Sequence, residues 1–179
     1  MKYTRFNTRI VKIGNIEMGG HNPIRIQSMT NTKTMDTVAT AAQVISLYQG
    51  GAEYVRITAS NIKEAENLAE IKKIVRSNNI FIPLIADVHF NPKAAEIAAQ
   101  IVEKVRINPG NFVDRNLTDK FEYTDNEYSQ ELEKIATKLH SLIKICKTNG
   151  TVLRIGVNHG SLSQRIISRY GNTNEGMVE

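Results

Sequence analysis

The alternation of two kinds of segment constrains the fold of this chain more than any other feature. From Ile24 onward, short apolar stretches alternate with amphipathic stretches of helical length. This order is typical of β-α units that build a parallel sheet, and a repeat of roughly 25–30 residues is typical of a (β/α)8 barrel. The predicted strands lie at residues 24–29, 53–58, 82–88, 104–107 and 152–157.

Local signals predict where the helices begin and end. Asp36 suits the N-cap of the first helix, and two glycines at 50 and 51 can end it. Thr124 followed three residues later by Glu127 forms a capping-box pattern at the start of another helix. That helix covers residues 127–148, and the other predicted helices cover residues 61–76, 92–102 and 160–169.

The first residues predict a small antiparallel hairpin. Residues 9–13 alternate like a half-buried strand, and Gly14 and Asn15 suit a tight turn, so we expect a lid or plug at one end of the sheet. Five parallel strands do not close a barrel and would leave an unpaired edge. We therefore expect an incomplete TIM barrel, in which residues 1–179 either form the N-terminal portion of a longer protein or are completed by another chain.

Charge and composition narrow the class of ligand. The formal net charge is +5, but the 23 lysines and arginines are spread along the chain without a dense basic run, and tryptophan is absent. A nucleic-acid surface with stacking aromatic residues is therefore not expected. The charge favours small anionic ligands instead.

Nothing in the sequence predicts a membrane protein. No apolar run approaches the roughly 20 residues that span a bilayer, and no apolar signal-peptide core follows Met1. We expect a cytoplasmic, reducing setting. Cys146 is the single cysteine, so it cannot form an internal disulfide or a cysteine metal cage, and we interpret it as a core residue.

Three predicted strands each carry an arginine among apolar residues. Arg56, Arg106 and Arg154 share a position in their strands, so we expect them to converge inside a barrel. Guanidinium groups bind phosphate oxygens in pairs and stay charged, which suits a diphosphate. The alternative is that each arginine pairs with a carboxylate inside the barrel.

Other polar residues follow the same strand ends. Asp87 and His89 are two residues apart, hence on one face, where they could act as a coupled acid and base. They could instead cap the next helix or hold the loop. Asn108 and Asn158 follow their arginines and can offer amide hydrogen bonds to a ligand.

At these strand ends the sequence resembles the 4-hydroxy-3-methylbut-2-enyl diphosphate synthase family of the non-mevalonate isoprenoid pathway. The resemblance extends over nearly the whole chain. Two further stretches, at 111–115 and 122–128, are similar to the larger three-domain form found in plastids and some bacteria. The segments that carry the family resemblance are residues 27–32, 55–56, 86–90, 106–111, 154–158 and 160–162.

The resemblance implies an oxidoreductase that opens 2-C-methyl-D-erythritol 2,4-cyclodiphosphate with loss of water to give 4-hydroxy-3-methylbut-2-enyl diphosphate. In this family the substrate diphosphate lies in the barrel mouth. The implied substrate-binding residues are Arg56, Arg106, Asn108, Arg154 and Asn158, and the implied catalytic residues are Asp87 and His89.

The resemblance also implies parts that this sequence does not contain. They are the remaining barrel strands, an insert domain and a C-terminal domain whose cysteines and glutamate hold a 4Fe–4S cluster. Ferredoxin or flavodoxin would be the reductant, and the whole protein would be a homodimer. Because one cysteine cannot ligate such a cluster, we expect this chain alone to be inactive.

Two alternatives remain open. An incomplete barrel could be a non-catalytic phosphate-binding module. It could also be a pterin-binding barrel similar to dihydropteroate synthase, although that reading gives no reason for the insertion at 112–128.

Overall fold

A computed structural model of the chain describes residues 6–108, 112 and 123–179. Within these residues, parallel strands alternate with helices, as predicted. The strands are β1 (Val11–Ile13), β2 (Ile16–Met18), β3 (Gln27–Met29), β4 (Tyr54–Thr58), β5 (Leu84–Val88), β6 (Lys104–Ile107) and β7 (Val152–Ile155). The helices are α1 (Thr37–Gln49), α2 (Ile62–Ser77), α3 (Pro92–Ala98), α4 (Asp125–Asn149), α5 (Gln164–Tyr170) and α6 (Asn174–Val178), with a 3-10 turn at His159–Ser161.

Five of the strands form one parallel sheet in the order β3-β4-β5-β6-β7. Each strand pairs with the next along the chain, which is how the strands of a (β/α)8 barrel are arranged. Side chains therefore alternate between an outer face and an inner face along every strand.

The outer face packs against the helices and forms the main core. Val55, Ile57, Leu84, Val105 and Ile107 of the sheet are all fully buried there. Helices α1 to α4 cover this face with aliphatic residues at helical spacing, such as Val44, Leu68, Ile71 and Leu142. The amphipathic pattern of the helices is thus explained by one shared apolar layer.

The β1-β2 hairpin closes the amino end of the inner face. Ile13 is fully buried and packs with Tyr54 and Ile85, while Gly14 lies beside Pro83 and Glu103 at the start of neighbouring strands. Arg25 donates to the backbone of Glu17 in the hairpin and pairs with Glu53 at 2.8 Å. The predicted plug is confirmed.

Several elements are shorter than predicted. The first strand of the parallel sheet, β3, begins at Gln27 and not at residue 24, and Ile24 and Ile26 are 79% and 61% exposed. Helix α3 ends at Ala98, and β7 ends at Ile155. In each case the apolar sequence extends beyond the segment that has the regular hydrogen-bond pattern.

Two local predictions are confirmed. Thr124 accepts from the backbone of Glu127, and the Glu127 carboxylate accepts from Thr124 in return, which completes the capping box of α4. Cys146 is buried in the main core, and this burial raises the pKa of its thiol. Residues 109–111, and residues 113–122 of the insertion at 112–128, lie outside the described residues.

In the part of the chain that the structure describes, no helix is both long enough and apolar enough to cross a bilayer.

One carboxylate joins α2 to the starts of β5 and β6. Glu103 pairs with Lys72 at 2.9 Å and with Arg76 at 3.1 Å, and it accepts from the backbone N–H of Leu84 at 2.8 Å. Its side chain is only 17% exposed. Water can therefore replace these contacts only in part.

We expect Glu103→Ala to lower the free energy of unfolding by about 2–3 kcal/mol, because it removes the acceptor of the Leu84 N–H and the counter-charge of two half-buried cations. Urea unfolding followed by circular dichroism measures this. Glu70→Ala is the matched control, since Glu70 meets Lys73 at 3.7 Å with both side chains largely exposed. It should cost no more than about 0.5 kcal/mol. If the two variants lost the same free energy of unfolding, the conclusion that Glu103 stabilises the contact between α2 and the strands would be wrong.

Candidate functional site

The inner face of the sheet carries a row of polar residues near its carboxyl end. Strand register aligns Thr58 with Asp87, Asp87 with Arg106, and Arg106 with Arg154. Four adjacent strands thus each contribute one polar side chain at the same level. In α/β barrels this end of the sheet is where ligands bind.

Asp87 is the centre of the row. Its side chain is 4% exposed and its Oδ1 lies 3.0 Å from Nη1 of Arg106 and 3.2 Å from Nε2 of His89. Its Oδ2 lies 3.4 Å from Nε of Arg56. One carboxylate therefore contacts two guanidinium groups and an imidazole, and this satisfies the requirement that a buried charge be paired.

Arg106 is held from two sides. Nη1 donates to Asp87, and Nη2 donates to the backbone carbonyl of Gly156 at 3.0 Å. A Cβ at position 156 would collide with the guanidinium of Arg106. The glycine is thus explained by the close approach of the arginine and not by an unusual backbone angle.

Arg56 lies one level below the others. Its register partners are Met29 and Ile85, whereas Arg106 is aligned with Arg154. The prediction that all three arginines share a position is therefore wrong for Arg56. Its Nε and Nη2 contact the sulfur of Met29 at 3.2 and 3.1 Å, and it reaches up to Asp87.

Arg154 differs from its two counterparts in being exposed. It forms no ion pair or hydrogen bond with any residue that the structure describes. The predicted alternative of carboxylate pairing applies to Arg56 and Arg106, but both share the single carboxylate of Asp87. Three guanidinium groups outweigh one carboxylate, so the cluster keeps a positive charge.

Asn108 and Asn158 are linked through a serine. Nδ2 of Asn108 donates to Oγ of Ser161 at 2.7 Å, and this hydroxyl lies 3.2 Å from the backbone carbonyl of Asn158. Asn108 is 4% exposed, and its Oδ1 is buried without a hydrogen-bond partner among the described residues. Asn158 is exposed at the start of the 3-10 turn.

His89 follows β5 at the rim of the inner face. Its side chain is 35% exposed and meets the ring of Phe90 edge to face, with the ring centroids 5.8 Å apart. The predicted proximity of Asp87 and His89 is confirmed. The imidazole is held at one nitrogen by a buried carboxylate while part of the ring reaches solvent, as a proton donor or acceptor requires.

Ser161 and Met29 contact the site but were not among the predicted site residues. Ser161 lies in a segment that the family resemblance covers, yet its contact with Asn108 crosses more than fifty positions of sequence and leaves no local signal. Met29 could have been found, because it ends β3 on the face that carries Arg56.

The described residues do not fit an iron–sulfur cluster. The chain has one cysteine, and Cys146 lies on the outer side of the sheet among core residues. In the part of the chain that the structure describes, no three His, Cys, Asp or Glu side chains are placed to hold a metal ion.

Two known proteins that are similar in sequence to this chain bear the same name. The chain is 58% identical over 178 residues to the 4-hydroxy-3-methylbut-2-en-1-yl diphosphate synthase (flavodoxin) of Bacteroides thetaiotaomicron, covering 99% of this chain and 29% of that protein. It is 51% identical over 173 residues to the protein of the same name from Protochlamydia amoebophila, covering 96% of this chain and 26% of that protein. The chain thus spans less than a third of the length of these relatives.

Similarity to solved structures is weaker. A Burkholderia cenocepacia dihydropteroate synthase complexed with 7,8-dihydropteroate aligns with a TM-score of 0.44 and 16% identity, covering 86% of this chain and 64% of that one. A likeness at this level supports no inference about a ligand.

The family model of the GcpE TIM-barrel domain matches residues 8–179. This match includes every strand of the parallel sheet and every polar residue of its inner face. The predicted family and fold class are confirmed, and the chain belongs to the GcpE TIM-barrel domain family.

Proposed function

We propose that this chain forms the diphosphate-binding part of a 4-hydroxy-3-methylbut-2-enyl diphosphate synthase. The whole enzyme would open 2-C-methyl-D-erythritol 2,4-cyclodiphosphate by taking up two electrons and releasing water, a step of isoprenoid biosynthesis. The observation that carries the proposal is the positively charged cluster around Asp87, in a chain whose relatives bear that enzyme's name.

The spacing of two arginines supports binding of a diphosphate. Arg106 and Arg154 are register partners on neighbouring strands, so their backbones lie about 4.8 Å apart. Guanidinium groups on adjacent strands can each bind the oxygens of one phosphoryl group. Arg56, one level lower, would add charge from beneath, and Asn108 and Asn158 would contact the ligand from the rim.

Asp87 and His89 are the proposed catalytic residues. Loss of a hydroxyl group as water requires a proton at that oxygen, and a partly exposed imidazole can deliver one. The neighbouring carboxylate of Asp87 would hold the ring in position. In this proposal Asp87 keeps Arg106 and His89 oriented at the same time.

The electrons must come from elsewhere. The single cysteine of this chain cannot ligate the 4Fe–4S cluster implied by the resemblance, so its site is proposed to lie in the C-terminal domain of the whole protein. The relatives are named for flavodoxin, which we propose as the reductant, with ferredoxin as the alternative. We further propose that the whole protein is a cytoplasmic homodimer and that each subunit also has an insert domain.

The first test is binding by the chain itself. We expect submillimolar binding of the cyclodiphosphate by calorimetry, and a loss of about 10- to 100-fold in Arg106→Ala, because a charge-assisted, buried contact is removed. Arg9→Ala is the matched control, since Arg9 is exposed in the segment before the hairpin. It removes the same charge and should leave the affinity within about twofold.

The same titration separates the alternatives. Equal binding of the cyclodiphosphate and of inorganic diphosphate would favour a generic phosphate-binding module. Binding of a pterin diphosphate in preference to both would favour a pterin-binding barrel. Either result, or equal weakening by Arg9→Ala and Arg106→Ala, would contradict the proposal.

Gly156→Ala should weaken binding of the cyclodiphosphate by about tenfold, because the new methyl group displaces the guanidinium of Arg106. Gly160→Ala is the control, since nothing lies within 4 Å of a Cβ at that position. Calorimetry on both variants measures the effect. If the two alanines behave alike, then the position of Arg106 does not depend on Gly156.

Catalysis requires the whole protein, so the third test uses a chimera in which this chain replaces the matching 178 residues of the Bacteroides thetaiotaomicron relative. We expect Asp87→Asn to lower turnover by about 10²–10⁴-fold and to raise KM by about tenfold, because His89 and Arg106 both lose the carboxylate that holds them. Asp125→Asn is the control, because Asp125 is 89% exposed and pairs with Arg169 away from the site. A change in KM alone would reassign Asp87 to binding.

A further inference from the structure

A buried lysine lies below the polar row and has no acidic partner in the described structure. Lys104 is 4% exposed and stands two residues before Arg106 on β6, so its side chain lies on the same inner face. Among the described residues, no hydrogen-bond acceptor or carboxylate contacts its ammonium group. A buried charge without a partner is unfavourable, and such residues are rare unless paired.

Tyr54 presents a second unpaired donor beside it. This tyrosine is 2% exposed, and its hydroxyl is buried without a hydrogen-bond partner in the described part of the chain. The Nζ of Lys104 lies 6.0 Å from the centre of the Tyr54 ring. At that distance the ring gives the ammonium only weak stabilisation.

Burial also acts on the titration of both groups. It lowers the pKa of Lys104, and the nearby charge of Arg154 lowers it further. It raises the pKa of Tyr54. Both directions describe donors in a dry environment, and the effect of Arg154 shows that a second cation lies near Lys104.

The two donors border a cavity on the open side of the inner face. It has a volume of about 340 Å³ and lies between the hairpin and the sheet. Arg25 and Arg154 also line it, and of these lining cations Arg25 alone pairs with a carboxylate among the described residues, that of Glu53. The cavity therefore favours an anionic group.

The barrel fold indicates what fills this space. A (β/α)8 barrel has eight strands whose inner side chains pack in layers, each layer drawn from alternate strands. The described part of this chain supplies five parallel strands, and the relatives are more than three times as long as the matched region. Side chains of the remaining strands would thus reach the layer of Lys104.

We propose that a carboxylate side chain on one of the remaining barrel strands occupies this cavity and accepts hydrogen bonds from Lys104 Nζ and Tyr54 Oη. A carboxylate has two oxygens, so it can satisfy both donors at once. The contact would stabilise the closed barrel at the level below the ligand. This inference rests on the barrel fold and is independent of the proposed reaction.

The test compares Lys104→Met in two settings. In the 179-residue chain, removal of an unpaired buried charge should raise the Tm by about 2–4 °C. In the chimera with the Bacteroides thetaiotaomicron relative, the same change should lower the Tm by about 5 °C or more, because it leaves the proposed carboxylate unpaired. Lys138→Met, at an exposed position of α4, is the control and should change neither.

Tyr54→Phe provides a second variant that keeps the volume of the core. In the 179-residue chain it should leave the Tm unchanged or raise it, whereas in the chimera it should lower the Tm. In the chimera, the effects of Tyr54→Phe and Lys104→Met on stability should not be additive. Acetate serves as a probe that mimics an aspartate side chain. At equal ionic strength it should raise the Tm of the unsubstituted chain more than chloride does, and this difference should vanish in Lys104→Met.

Three outcomes would overturn the proposal. Destabilisation of the chain by Lys104→Met would mean that the lysine already has a partner within it. Stabilisation of the chimera by the same change would mean that no carboxylate meets the lysine. An equal response to acetate and chloride would mean that the cavity does not select a carboxylate.

Discussion

The inner face of this sheet depends on one buried carboxylate. Asp87, on the central strand β5, contacts arginines on both neighbouring strands, Arg56 and Arg106. Without it, two guanidinium groups would face each other across a narrow, partly dry space. Without them, a nearly fully buried carboxylate would have no counter-charge. Other contacts of the polar layer depend on this pairing of charges. Asp87 also contacts the imidazole of His89, and Arg106, held by Asp87, lies close to Gly156.

Much of the fold could be predicted from the sequence because periodicity reports burial directly. Strands such as β5 and β6 are apolar on the outer face, and helices such as α2 bury residues at helical spacing against them. The boundaries were harder to predict. Ile24 and Ile26 are apolar, but strand pairing needs a neighbouring backbone at the right level, and composition carries no information about that neighbour.

The types of residue at the site were predictable, whereas their relative heights were not. An arginine in an apolar strand indicates a polar interior, and this holds for Arg56 and Arg106. The level of Arg56 depends on the register of β4 against β5, which is set by how a whole helix packs between them. The roles of Ser161 and Gly156 depend on contacts with β6, and distant sequence positions meet there only after folding.

The hairpin at the amino end has a consequence for synthesis on the ribosome. Ile13 is buried against Tyr54 and Ile85, and β1 also contacts β7, the last of the described parallel strands to emerge. Until β7 is translated, the chain therefore carries this apolar segment with only part of its native contacts, for several seconds at ordinary elongation rates. Docking of this segment is among the least local events of assembly, so it is expected to come late. The first residues made are then among the last to reach their native environment.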